Sequence, residues 1–294
     1  MLSLATDLQI KKTSLNDFIA LAKRVLEYSP NVLSGKEEKG NYYIYSSDIG
    51  NTKKFVRPIN KLLFIPSSAG IDATEIKFRE VIEKIKADTA ISKEEEFIID
   101  SFLYTLIQSV GMGLDLLVES NSSKKHVGNR FEELIRSVFD EIGVFNKKGV
   151  TKIPYETAEG TKYYTCENDL ILSPTQDLIA NRGIDPSEVV ISVKTTSKDR
   201  MGKIFMDKIL LEKFVKHPVK VMGIFLNDVQ RKNNNNISFT LVSGLFMVYN
   251  TFLTELEGVY YLDPPPNASV PPYNRHIKPF SKLLSEDLHQ LLSP

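Results

Sequence analysis

Between Val189 and Phe214 the chain changes its hydrophobic period from that of a buried strand to that of a helix, with a charged turn at the join. Val189, Val190, Ile191 and Val193 form a run rich in β-branched residues, which is the composition of a buried strand. Lys194 stands at its exposed end, followed by Thr195, Thr196 and Ser197 and then the triplet Lys198, Asp199, Arg200. From Met201 onward Ile204, Phe205, Leu210, Leu211 and Phe214 recur at helical spacing. A core strand that feeds an amphipathic helix in this way calls for a sheet covered by helices. It also sets a carboxylate, Asp207, about two turns into that helix. Upstream, Asp169 closes another strand-like run, Tyr163 to Asn168. Asp169, Lys194 and Asp207 are expected to converge on one metal ion and one phosphate.

The neighbouring segments extend the pattern. Gly128 to Ile142 reads as a helix with Phe131, Leu134, Ile135, Val138, Phe139 and Ile142 on one face. Thr151 to Thr157 and Lys162 to Leu172 read as two extended runs joined by a hairpin signal at Glu159-Gly160. The strand over Glu188 to Thr196, the helix over Met201 to Lys216 and a strand over Lys220 to Leu226 follow. Ile237 to Val242, after the run of asparagines from Asn233 to Asn236, reads as one more strand. The order α-β-β-β-α-β predicts an α/β fold with a mixed central sheet flanked by helices.

Ahead of this lie helical patterns at Thr13–Tyr28, Thr74–Ile91 and Lys93–Leu117, with extended pieces at Asn41–Tyr45 and Lys61–Ile65. The polar stretch Ser120–Lys125 is the best candidate boundary. The sequence therefore divides into a mainly helical region over 1–122, suited to accessory, dimerisation or DNA-contact roles, and a core over 123–294 with a C-terminal extension. The prolines at 264–266 and 271–272 make part of that extension irregular. A short last helix is expected from Ile277.

Composition narrows the classes. Lys and Arg together match Asp and Glu at 37 each, so there is no global basic signature for nucleic acid. Charge is uneven, however: from Lys194 to Lys220 there are eight Lys or Arg against three Asp or Glu. That excess adjoins the candidate site and would suit a phosphate ligand. No unbroken apolar run reaches the roughly 18 residues of a membrane span. The N-terminus lacks the basic and apolar regions of a signal peptide. The single cysteine, Cys166, fits a reducing, cytoplasmic setting and is expected in a strand or core rather than as a nucleophile. The four histidines show no metal-ligand spacing. Gly111-Met112-Gly113 lacks the flanking strand of a phosphate-binding loop. Tyr42-Tyr43 and Tyr163-Tyr164 are expected in strand or core rather than stacked on bases.

The residue types suit phosphodiester hydrolysis. Mg²⁺ is held by one or two carboxylates plus phosphate oxygens and waters, and a strand-end lysine adds a compact cation beside the attacked phosphate. The string Val193-Lys194-Thr195-Thr196-Ser197-Lys198-Asp199-Arg200 resembles the catalytic and recognition segment of EcoRII-like type II restriction endonucleases, the CCGG/CCNGG/CCWGG branch of the PD-(D/E)xK nuclease superfamily. In that branch the acidic residue two before the lysine is absent, and here it is Ser192. The carboxylate sits instead on the following helix, and Asp207 is thirteen residues after Lys194. The α-β-β-β-α-β order is also that superfamily's core, and the resemblance covers Gly128 to Leu226.

The resemblance implies that Asp169 is the first metal ligand, Lys194 the catalytic lysine and Asp207 the second metal ligand, with Glu212 as the alternative because the branch usually carries Glu. It implies a catalytic Glu132 on the opening helix. It implies that Lys198, Asp199 and Arg200 read bases, with a solvent-facing helix-cap cluster as the alternative reading of the triplet. The whole-chain expectation is a homodimeric, Mg²⁺-dependent type II site-specific deoxyribonuclease. It would cut double-stranded DNA at a palindrome containing G·C pairs and leave 5′-phosphates, with a cognate DNA methyltransferase protecting the host. A repair or resolvase nuclease of the same fold, or an inactive DNA-binding module, are the alternatives.

Overall fold

The computed structural model describes residues 2–49, 52–180 and 183–293. The chain opens with α1 (Leu4–Gln9) and α2 (Leu15–Tyr28), the latter started by a capping box in which Ser14 and Asp17 satisfy each other's backbone N–H groups. A small antiparallel sheet follows, made of β1 (Gly35–Lys39), β2 (Tyr42–Ile49), β3 (Thr52–Phe55) and β4 (Ile59–Asn60). Then come α3 (Ser68–Lys86), α4 (Lys93–Leu117) and α5 (Ser120–Glu141).

The main sheet is built from β5 (Phe145–Thr157), β6 (Gly160–Ser173), β7 (Val189–Lys194), β8 (Lys220–Asn227), β11 (Gly258–Asp263) and β12 (Ile277–Pro279). The helix α6 (Met201–Val215) crosses from β7 to β8. Between β8 and β11 lie a two-stranded ribbon, β9 (Val229–Arg231) with β10 (Ile237–Phe239), and the helix α7 (Ser243–Phe252). A helical stretch over 280–292 ends the chain.

The strand order is β12-β11-β8-β7-β6-β5. β5, β6 and β7 pair antiparallel, and β7, β8, β11 and β12 pair parallel. The sheet is therefore mixed and flanked by helices, as the order of elements in the sequence implies. Period-two alternation splits its residues between two cores. Ile191, Val193, Met222 and Ile224 face the layer of α4 and α5, while Val190, Val221, Phe225 and Tyr261 face α6 and α7. The hairpin turn is made at Gly160, whose φ of 108° is closed to residues with a side chain.

Several elements differ from the sequence reading. Ser120–Lys125 is the first turn of α5 rather than a break, so the line drawn between 122 and 123 falls inside a helix. One hydrophobic core runs across it from Leu8 to Leu288. The region before it carries the small sheet as well as helices, and residues 61–63 form a turn where an extended piece is expected. The helix expected over Thr74–Ile91 begins earlier, at Ser68, and stops at Lys86. Ile237 to Phe239 pairs with β9 outside the main sheet, whose place on β8 is taken by the fully buried Gly258–Asp263. By length and composition α4 is apolar enough to cross a membrane, but 89% of its most apolar window is buried inside the fold. It is the central core helix, fastened to the C-terminal stretch where Asp100 accepts from the N–H and hydroxyl of Ser281.

Candidate active site and DNA-reading surface

β6 and β7 pair only as far as Leu170 with Ile191, while β7 keeps pairing with β8 to its end, Lys194 with Phe225. Beyond Ile191 the two strands no longer exchange backbone hydrogen bonds, and the Asp169 carboxylate takes over. Its Oδ2 accepts from the N–H of Val193 at 2.9 Å, from Ser192 Oγ at 3.4 Å and from Lys194 Nζ at 2.5 Å. The strand-end lysine is thus fixed by the carboxylate of the neighbouring strand. Glu132, from α5, lies 3.6 Å from Lys194 Nζ through Oε1 and 3.4 Å from Lys148 Nζ through Oε2. Burial raises the Glu132 carboxyl above its ordinary value, and the nearby Asp169 charge adds to this, against the opposing pull of Lys194 and Lys148.

Asp207 completes the cluster from α6. Together with Asp169, Lys194, Glu167, Arg200 and Lys203 it lines a cavity of about 270 Å³. Its Oδ2 is paired with Lys203, one helical turn earlier. Glu212 does not reach this cavity: it lies farther along α6 and accepts from the N–H of Val219 at 3.2 Å. The structure therefore sets Asp169, Lys194 and Asp207 around one cavity, places Glu132 against Lys194, and sets Glu212 aside. Glu167, Lys203 and Lys148 were not singled out from the sequence. Glu167 had a usable signal, since it stands two residues before Asp169 in a strand.

The carboxylates are hard oxygen donors of the kind Mg²⁺ prefers. Among the described residues there is no preformed group of three or more Asp, Glu, His or Cys side chains around a single point. Mg²⁺ is commonly held by one or two carboxylates, with substrate oxygens and waters in the other positions. Asp169 and Asp207 fit that role.

The loop that precedes Lys198, Asp199 and Arg200 is held by a buried carboxylate. Asp228, fully buried, accepts from Thr196 Oγ1 at 2.7 Å, from the N–H of Ser197 at 2.8 Å and from Ser197 Oγ at 2.5 Å. It also accepts from Thr240 Oγ1 at 3.0 Å and Tyr261 O–H at 2.7 Å. The loop before the triplet is therefore rigid, while the triplet itself is exposed. Asp199 has a φ of 57°, a left-handed conformation that Asp tolerates better than most residues. It does not cap α6, whose N-cap is Arg200 without a side-chain hydrogen bond. Among the described residues the side chains of Lys198, Asp199 and Arg200 have no ion-pair or hydrogen-bond partner. Arg200 lines the cavity with Asp169, Lys194 and Asp207, whereas Lys198 and Asp199 line a separate cavity of about 490 Å³.

Cys166 is buried in β6, its thiol pushed up by burial and by the Asp207 charge, which leaves it a poor nucleophile. Both tyrosine pairs are strand residues as expected, Tyr42-Tyr43 in β2 and Tyr163-Tyr164 in β6; Tyr42 is buried, Tyr163 and Tyr164 are exposed, and Tyr164 lines the cavity with Asp169 and Asp207.

No protein-family model matches the chain, and no curated protein matches it. Among solved structures, the type IIP restriction endonuclease Kpn2I superposes with a TM-score of 0.71 at 16% identity, covering 95% of this chain and 91% of that one. The restriction endonuclease PspGI, in a complex with substrate DNA, superposes far more loosely. Its TM-score is 0.39 at 16% identity, over 74% of this chain and 92% of that one. The likeness to Kpn2I takes in the N-terminal region as well as the main sheet, so the two chains share one overall fold.

Proposed function

We propose that the protein is a Mg²⁺-dependent type II restriction endonuclease of the EcoRII-like branch. In this reading it hydrolyses double-stranded DNA at a palindrome containing G·C pairs, as a cytoplasmic homodimer, with a cognate methyltransferase protecting host DNA. The observation that carries the reading is the convergence of Asp169, Lys194, Asp207 and Glu132 at the point where β6 and β7 separate.

Asp169 and Asp207 would hold the metal, which when bound offsets charge on the phosphate and acidifies water. Lys194, anchored by Asp169, directs its ammonium at the attacking water and the scissile phosphate. Glu132, with its raised carboxyl, receives the proton the water gives up. The water oxygen bonds to phosphorus as the bond to O3′ breaks, giving a 5′-phosphate and a 3′-hydroxyl. Arg200, at the edge of the same cavity, and Lys198 donate to guanine O6 and N7, and Asp199 accepts from cytosine N4. Supercoiled plasmid with the wild-type protein and Mg²⁺ should be cut, and chelation with EDTA should stop it. Retardation of the plasmid without any cutting would favour an inactive DNA-binding module.

The homodimer reading has a surface to support it. The outer faces of α6 and α7 expose Met206, Leu210 and Phe214 on one helix and Val248 and Phe252 on the other, with Leu253 just past the end of α7. Phe252 is 79% exposed. The helices pack side by side through Phe205 against Phe246 and Tyr249. A two-fold duplex site calls for a second copy of the chain. Phe252→Glu is therefore expected to convert a dimer to a monomer in light scattering, and to replace double-strand cleavage by nicking. A wild-type protein that stays monomeric on DNA would contradict the assignment.

A further inference from the structure

The ribbon of β9 and β10 stands outside the main sheet, between the triplet and the N-terminal sheet. Its two faces differ. On one, Arg231 lies over the Phe55 ring at 4.2 Å and the Phe239 ring meets Tyr42 at 6.1 Å between centroids. Asn235, at the tip, donates to Glu37 at 2.7 Å and accepts from Arg231 at 3.0 Å. These contacts brace the ribbon on β1, β2 and β3. The other face carries Gln230 opposite Ser238, with Lys232 just past the end of β9, and all three line the 490 Å³ cavity that also holds Lys198 and Asp199.

Those three polar side chains have no work inside the fold. Among the described residues neither Lys232 nor Ser238 makes a side-chain hydrogen bond or ion pair. Gln230 Oε1 is buried without a partner, which is costly unless something else supplies a donor. Asp228 meanwhile ties Thr240, just after the ribbon, to Thr196 and Ser197, just before the triplet. The ribbon and the triplet therefore sit in a fixed register on the same carboxylate. A two-stranded ribbon is one of the two protein elements that a DNA major groove admits.

We propose that this ribbon is a second DNA-reading element, in which Gln230, Lys232 and Ser238 meet base edges in the major groove next to the pairs read by the triplet. The proposal rests on the endonuclease reading of the catalytic cavity. Gln230 offers a donor and an acceptor, the pattern that suits adenine N6 and N7, and Lys232 is a donor suited to guanine or to a phosphate. The N-terminal sheet acquires a function in this arrangement, which is to hold the ribbon against the groove.

The test is a competition titration, without Mg²⁺, of duplexes carrying the cut site with its flanking pairs randomised. Gln230→Ala, Lys232→Ala and Ser238→Ala would be compared with wild type, each checked by circular dichroism. The expected result is a loss of preference at flanking pairs of about 10-fold or more for Gln230→Ala or Lys232→Ala, with little change on unrelated duplex. Equal weakening on all duplexes, or no change, would overturn the proposal. If Gln230→Ala fails to fold, Lys232→Ala, at an exposed position, decides alone. A wild-type protein that neither cuts nor selects a sequence would sink the endonuclease reading itself, and is told apart by being measured first.

Discussion

Lys194→Ala is expected to lower the rate of DNA cleavage by about three orders of magnitude while leaving duplex binding nearly intact. The lysine ends a core strand, its Nζ is held 2.5 Å from Asp169, and Glu132 lies within 3.6 Å. Removing one positioned charge or donor at a reacting centre typically costs 10²–10³-fold, and in the proposed mechanism the side chain serves both water and phosphate. Binding is carried mainly by phosphate and base contacts spread over a wide surface, so it should survive. Single-turnover cleavage and a gel-shift titration on the same preparation separate the two effects. A mutant that cuts at near wild-type rate would remove Lys194 from the mechanism.

The second large effect concerns Asp207. The carboxylate lines the cavity with Asp169, whereas Glu212 is turned to the backbone at Val219. Asp207→Ala is expected to abolish cleavage, Asp207→Glu to retain it in part, and Glu212→Ala to remain active. Metal affinity, read by calorimetry with Ca²⁺ and uncut duplex, should fall for Asp207→Ala and hold for Glu212→Ala. A dead Glu212→Ala beside an active Asp207→Ala would reverse the assignment.

Much of this site was legible in the sequence because it is local. The passage from β7 through Lys194 into α6 changes hydrophobic period, and period is what a sequence displays most openly. Asp169 was legible for the same reason, at the end of a β run. Lys203 and Lys148 were not, because each gains its meaning from a partner, Asp207 and Glu132, brought near only by the fold. Asp228 was harder still. It sits at the end of β8 as an ordinary acidic residue, and only burial and five donors reveal that it holds the triplet loop. Ile237 to Val242 reads as one more strand without a partner, because three-residue strands carry too little pattern to name their partners. The core that joins α4 to the sheet was also hidden, since an all-round apolar helix shows that it is buried but not against what.

The most direct measurement is to sequence the DNA ends left when a plasmid of known sequence is incubated with the purified wild-type chain and Mg²⁺. The expected ends carry 5′-phosphates and all fall at one palindromic sequence with G·C pairs at its core. Ends scattered through the plasmid, ends set by DNA structure rather than sequence, or no ends at all would contradict a site-specific endonuclease.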